Sequence, residues 1–121
     1  MIHFKESEFN CPCSECSLDF EDMDEDFVMD LDRARGYAEV PFNLTSSIRC
    51  MKHNLKKSVG GSKTSSHPKG YAADISAASS YEKFRIFHGL KKAGFNRIGI
   101  GKDFIHGDKD PDKPKELLWV Y

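Results

Sequence analysis

A histidine and an aspartate stand seven residues apart in Ser65-Ser66-His67-Pro68-Lys69-Gly70-Tyr71-Ala72-Ala73-Asp74-Ile75. Seven positions would put both side chains on one face of a helix, but Pro68 and Gly70 lie between them. A proline followed by a glycine argues against a helix, and His67, just before Pro68, is pushed to extended backbone. The chain is therefore expected to turn after His67 and re-enter as a strand that carries Asp74. Imidazole nitrogen and carboxylate oxygen are both zinc ligands, and a catalytic zinc needs three such donors with a position left open. The best third donor is His106, in Asp103-Phe104-Ile105-His106-Gly107-Asp108. On a strand there, Phe104, His106 and Asp108 share a face, so the Asp108 carboxylate could orient the imidazole or hold substrate. Asp103 sits at the entry to that strand. Of the other histidines, His88 falls inside an apolar helix pattern, and His53 is a weaker candidate than His67 or His106.

Ser-x-His-x-x-Gly-x-Ala-x-Asp, followed later in the chain by Asp-x-x-His, resembles the M15 family of zinc peptidases, which includes D-alanyl-D-alanine carboxypeptidases and dipeptidases and phage peptidoglycan endopeptidases. Arg49-Cys50 with Asn54, the Val59-Gly60-Gly61 turn, the segment from Gly94 to Ile100 and the terminal Trp119-Val120-Tyr121 are similar to its compact phage-type members. The resemblance covers most of the chain from about Phe42 onward, and residues 4–9 more weakly.

That resemblance implies one catalytic zinc ion on His67, Asp74 and His106, in a Hedgehog/DD-peptidase-like domain. It implies that Arg49 contacts substrate or polarises the scissile carbonyl, and that Ser65 positions substrate or its own loop. The acid of the family's Asp/Glu-x-x-His motif is the general base, which by position is Asp103. Relatives with a neutral residue there keep Asp108 open as the base. Gly107 stands where a β-branched residue is usual, which is expected to weaken the strand beside His106. The implied reaction is zinc-assisted amide hydrolysis. The metal lowers the pKa of a water to roughly 7, Asp103 takes the proton and returns it to the leaving amine, and Arg49 helps stabilise the oxyanion. The implied substrate is a peptidoglycan peptide containing D-amino acids, cut by a phage endolysin. The alternative is a zinc-stabilised module of the same fold that binds cell wall without cutting it.

The elements that must position these residues follow from length and pattern. A chain of 121 residues, 39% hydrophobic, suits one core, so residues 1–121 are read as one peptidase domain with 1–22 packed on it. Its net charge of −1 hides an asymmetry. Residues 1–32 hold eleven acids and one lysine, whereas 33–121 hold seventeen bases and eight acids. A basic C-terminal part suits an anionic polymer such as peptidoglycan, although solvated surface explains it equally well. No aromatic-basic interleaving argues for a nucleic-acid partner. No segment has the length of an apolar membrane span, and the first residues lack a signal peptide's basic start and apolar run. The expectation is a monomer made in a bacterial host's cytoplasm that acts on the wall after release.

Cys11, Cys13 and Cys16 form a C-x-C-x-x-C cluster with Cys50 far along the chain. Reduced thiols, a second, structural zinc on these four, and a disulfide formed after release all remain open.

Residues 4–10 read as a short helical turn. A helix is expected over 22–38, capped by Asp22, with Met23, Phe27, Leu31, Ala34 and Ala38 on one face and Pro41 ending it. Residues 42–48 read as a strand, 51–58 as a short helix stopped by Gly60-Gly61, and 72–76 as the strand bearing Asp74. A second helix runs over 80–93 with Tyr81, Phe84, Phe87 and Leu90 as its apolar stripe and Gly94 as its stop. Strands over 97–101, 104–108 and 117–121 close the chain. The pattern predicts an α+β domain with a mainly antiparallel sheet.

Overall fold

The computed structural model describes residues 3–9, 20–47 and 69–121. They form an α+β fold in which two helices pack against a five-stranded mixed sheet. Helix α1 spans Glu25–Ala38 and α2 spans Ser80–Lys92; the strands are β1 (Leu44–Ser46), β2 (Ala72–Ser76), β3 (Arg97–Ile100), β4 (Phe104–Asp108) and β5 (Leu117–Val120). Their order across the sheet is β1-β2-β4-β3-β5. Pairings β1–β2, β2–β4 and β3–β4 are antiparallel, as expected, but β3–β5 is parallel. The chain leaves β4 at Asp108, opposite Arg97, and residues 109–116 carry it round to Leu117, also beside Arg97. Running antiparallel to β4, β5 needs no helical crossover to lie parallel to β3.

The cap of α1 is Asp24 rather than Asp22. Its Oδ2 accepts the Phe27 N–H at 2.9 Å, while Asp22 ends a short 3-10 turn, Phe20–Asp22. Gly70 explains the shift. Its carbonyl accepts the Asp24 N–H at 3.0 Å, its φ is +78°, and a Cβ there would stand 2.5 Å from the Asp22 carbonyl oxygen. Only glycine combines that backbone with that approach, so the start of α1 is laid directly on the motif that leads into β2. The helix stops at Ala38, before Pro41 is reached, with Glu39 left-handed at φ 58°.

The stripe expected on α2 is displaced. Ile86, Gly89 and Leu90 are buried, whereas Tyr81 and Phe84 are exposed. Repeated steps of three residues each fall about 60° short of a full turn, so from Tyr81 to Leu90 the row has wound about 180° round the helix. The α1 row Phe27, Leu31, Ala34 and Ala38, with steps of four and three, stays on one face and is buried, as is Met23 just before the helix. The helices meet at Gly89, where a Cβ would stand 2.4 Å from the Ala34 carbonyl oxygen and 2.7 Å from the Ala38 Cβ. Beneath them Phe27, Phe95, Ile75, Ile98 and Ile105 complete the core.

Ser79 caps α2, accepting the Glu82 N–H at 3.1 Å, and Gly94, at φ +92°, turns the chain toward β3. The expected helix over 51–58 lies outside the described residues. Among the described residues no helix is long and apolar enough to cross a membrane.

Candidate active site

Alternation along β2, β4 and β3 sorts their residues between two faces of the sheet. Ala73, Ile75, Ile98 and Ile105 join the buried core under the helices. Asp74, Arg97, His106 and Asp108 therefore take the opposite face. Cross-strand register then does the assembling, since Asp74 is the partner of His106, Gly99 is its partner on the other side, and Arg97 is the partner of Asp108.

The side chains form a continuous chain across three strands. Asp74 Oδ1 lies 2.8 Å from His106 Nδ1, and His106 Nε2 lies 2.7 Å from Asp108 Oδ2. The other Asp108 oxygen accepts from Arg97 Nε at 2.6 Å and from the Asp110 N–H at 3.3 Å. Trp119 of β5 closes one side, its ring centroid 5.6 Å from that of His106. It lies across Gly99, where a Cβ would stand 2.5 Å from the indole Nε1. On the other flank Lys69, next to Gly70, reaches buried Asp110 at 3.1 Å, which ties the motif loop to the segment following β4.

Burial and charge act in opposition here. Burial pulls the His106 pKa down, but hydrogen bonds to Asp108 and Asp74 and the two negative charges outweigh it, and the net shift is upward. For Asp108 burial pushes the pKa up, and the hydrogen bonds and charges of His106 and Arg97 overcome that and hold it below the usual carboxylate value. Each ring nitrogen thus faces a carboxylate oxygen, an arrangement that favours the protonated ring.

Of the residues expected from sequence, Asp74, His106 and Asp108 are brought together. Asp108 is 1% exposed, with both oxygens engaged. Asp103 is not brought to the cluster, being exposed in the turn between β3 and β4. It stands three residues from His106, about 10 Å along a strand. Its carbonyl accepts the Ala77 N–H at 2.9 Å. Gly107 lies inside a strand paired on both sides, to Ala73 and Ile98, with Leu90 and Phe95 filling the space beside it, so the strand bearing His106 is held at this point. His67, Arg49, Ser65 and the four cysteines lie outside the described residues. Arg97 is a site residue that the motifs do not point to; its one signal in the sequence is a charged residue heading the otherwise apolar run Arg97-Ile98-Gly99-Ile100.

The family model described as Peptidase M15 matches residues 2–108. The chain belongs to the Peptidase M15 family. No curated protein matches it. Family membership makes this chain a peptidase, and M15 peptidases are generally zinc-dependent. The M15 match ends at Asp108, so β5 and Trp119 lie beyond it.

Asp74 and His106 are donor types that such an ion takes. Their Oδ1 and Nδ1 are 2.8 Å apart, a hydrogen-bond separation shorter than the roughly 3.3 Å between two ligands of a tetrahedral zinc with bonds of about 2.0–2.1 Å, so the pair would have to part for an ion to enter. The Nε2 of His106 is turned to a carboxylate, as metal-ligating histidines almost always turn their second nitrogen to a carboxylate, carbonyl or water. Two donors do not complete a zinc site. Among the described residues no group of three or more His, Cys, Asp or Glu is placed to hold a metal ion.

Proposed function

We propose that this M15 peptidase hydrolyses a peptide bond in bacterial peptidoglycan, in a stem peptide or cross-link containing D-amino acids, as a phage endolysin acting on the wall after release from the host cytoplasm. The observation that carries the reading is the juxtaposition of Asp74 Oδ1 and His106 Nδ1 at 2.8 Å. It sets two of the three donors expected from the motif on neighbouring strands, with His106 braced from behind by Asp108. The substrate class is supported by the similarity of Arg49-Cys50 with Asn54, Val59-Gly60-Gly61, the segment from Gly94 to Ile100 and Trp119-Val120-Tyr121 to the compact phage-type members.

His67, Asp74 and His106 would hold a zinc ion, which when bound supplies Lewis acidity and acidifies a water. The chain's own groups do the rest. Asp108 keeps the His106 Nε2 proton in place, which leaves the Nδ1 lone pair for the metal side. By its position in the Asp-x-x-His motif Asp103 is assigned to accept the proton of the attacking water and pass it to the leaving amine nitrogen, an assignment that rests on the motif, since its carboxylate is in the exposed turn before β4 and outside the Asp74–His106–Asp108 chain. The Arg49 guanidinium fork and the Ser65 hydroxyl orient the substrate's carbonyl or carboxylate.

The test is digestion of purified peptidoglycan followed by mass spectrometry of the muropeptides. Cleaved peptides that disappear on chelation and return with added zinc are the expected result, and the fragment masses identify the bond. Intact muropeptides in the presence of zinc-loaded protein would overturn the assignment.

A further inference from the structure

Arg97 is a buried arginine on the face of the sheet that carries His106, and three different elements meet at its guanidinium. Its Nε donates to Asp108 Oδ1 at 2.6 Å. One terminal nitrogen donates to the Pro114 carbonyl at 2.5 Å. Its central carbon stands 5.3 Å from the centre of the Trp119 ring. A buried charge is costly unless paired and hydrogen-bonded, and here the charge-assisted pairing falls on the carboxylate that holds His106 Nε2 from its other oxygen. Pro114 and Trp119 both belong to the segment following the M15 match. Arg97 thus joins that segment to the histidine through a single carboxylate.

We propose that Arg97 is a positioning residue whose two-armed grip, on Asp108 and on the Pro114 carbonyl, fixes the Asp108 carboxylate and through it the His106 ring, with Nδ1 presented toward Asp74. This rests on the metal reading of Asp74 and His106 given above. The grip needs the planar fork of arginine. Nε and a terminal nitrogen point in fixed, different directions, and a lysine ammonium at the same place is a single point donor that cannot span both acceptors while lying against an indole.

The test compares wild type with Arg97→Met and Arg97→Lys, checking each for folding by circular dichroism. The first readout needs no metal. In chelated protein the His106 Nε2 proton, assigned by its absence in His106→Gln, is expected to give a slowly exchanging NMR signal in wild type. It should be lost or broadened in Arg97→Met and weakened in Arg97→Lys. The second readout is zinc affinity by competition with a chelator, expected to fall by roughly 10–100-fold in Arg97→Met, as for other residues that brace a ligand, and by less in Arg97→Lys. Wild-type values of both readouts in a folded Arg97→Met protein overturn the proposal. Should that variant not fold, wild-type values in Arg97→Lys overturn it equally, because the fork would then be dispensable. Asp74→Asn serves as the control on the underlying reading. If it leaves zinc affinity unchanged, the metal assignment fails, while the ring-proton signal still judges Arg97.

Discussion

Asp74 and His106, thirty-two positions apart, stand directly opposite one another on neighbouring strands, with Oδ1 of one 2.8 Å from Nδ1 of the other. Antiparallel register alone produces this meeting. A slip of one residue in the β2–β4 pairing would send one of the two to the helix side of the sheet. The apolar partners Ala73, Ile75 and Ile105, buried on that side, hold the register in place.

If these two groups share a metal, removing the charge of one should be felt mainly in binding. Asp74→Asn keeps the shape of the side chain but gives up the anionic donor. Zinc affinity is expected to fall by more than the roughly 10–100-fold typical of losing an outer partner, with peptidase activity falling in parallel and far-ultraviolet dichroism unchanged. Zinc per chain after gel filtration checks it, and full occupancy in the variant would remove Asp74 from the site.

The two carboxylates around His106 also set the behaviour of the metal-free protein with pH. The His106 pKa is raised in the fold, so its contribution to stability is fully present below the unfolded value of about 6.5 and is lost as pH rises through the folded value. The Asp108 pKa is lowered, so its contribution is present above the unfolded value and is lost as pH falls through the folded one. Chelated protein should therefore gain most from this cluster in the mildly acidic range. The check is the difference in Tm between wild type and His106→Gln across pH with chelator present. A difference that grows steadily through neutral pH and above would contradict the raised pKa. In the presence of zinc the sign reverses, since the metal must displace the Nδ1 proton and binds more tightly as pH rises.

The extent to which sequence anticipates this arrangement differs from element to element, for identifiable reasons. The buried face of α1 is legible because steps of four and three residues keep one azimuth, and a line of Phe27, Leu31, Ala34 and Ala38 cannot easily be misread. The face of α2 is not legible, because its contact residue is Gly89, which carries no hydrophobic signal, while the conspicuous aromatics Tyr81 and Phe84 face solvent. Asp74 and His106 stand out as candidate donors by residue type and motif. The Arg97–Asp108 pair depends on the β3–β4 register, and the contact of Arg97 with Trp119 on the parallel placement of β5; no local periodicity encodes either of these.

Two glycines on opposite sides of the core predict opposite responses to the same substitution. A Cβ at Gly89 would collide with the Ala34 carbonyl oxygen and the Ala38 side chain, forcing the helices apart, so Gly89→Ala should destabilise by roughly 1–3 kcal/mol. At Gly107 the nearest atoms, from Leu90 and Phe95, lie at 3.4–3.5 Å, ordinary contact distance. The gain there comes from restricting the unfolded chain, and Gly107→Ala should stabilise by about 0.4–1 kcal/mol. Urea denaturation of both variants checks the pair. A destabilised Gly107→Ala would mean that β4 needs glycine for a reason its packing does not show.

The proton acceptor is decided by comparing Asp103→Asn with Asp108→Asn. Asp108 is buried, its oxygens divided between His106 and Arg97 and its pKa held low. A carboxylate so placed is a weak base with no lone pair turned to solvent, and its loss should act on the histidine. Asp108→Asn is expected to lower zinc affinity by roughly 10–100-fold, with turnover largely recovered at saturating zinc. Asp103 is exposed at the mouth of the β3–β4 turn and touches none of the Asp74–His106–Asp108 chain. Asp103→Asn should leave zinc affinity and Tm at wild-type values, and as the residue that moves the proton it should lower kcat by roughly 10²-fold or more. Kinetics at several zinc concentrations separate the two effects, because added metal rescues a binding defect and cannot restore a missing base. Full turnover in Asp103→Asn would remove it from the reaction, and a loss in Asp108→Asn that zinc does not rescue would transfer the role to Asp108.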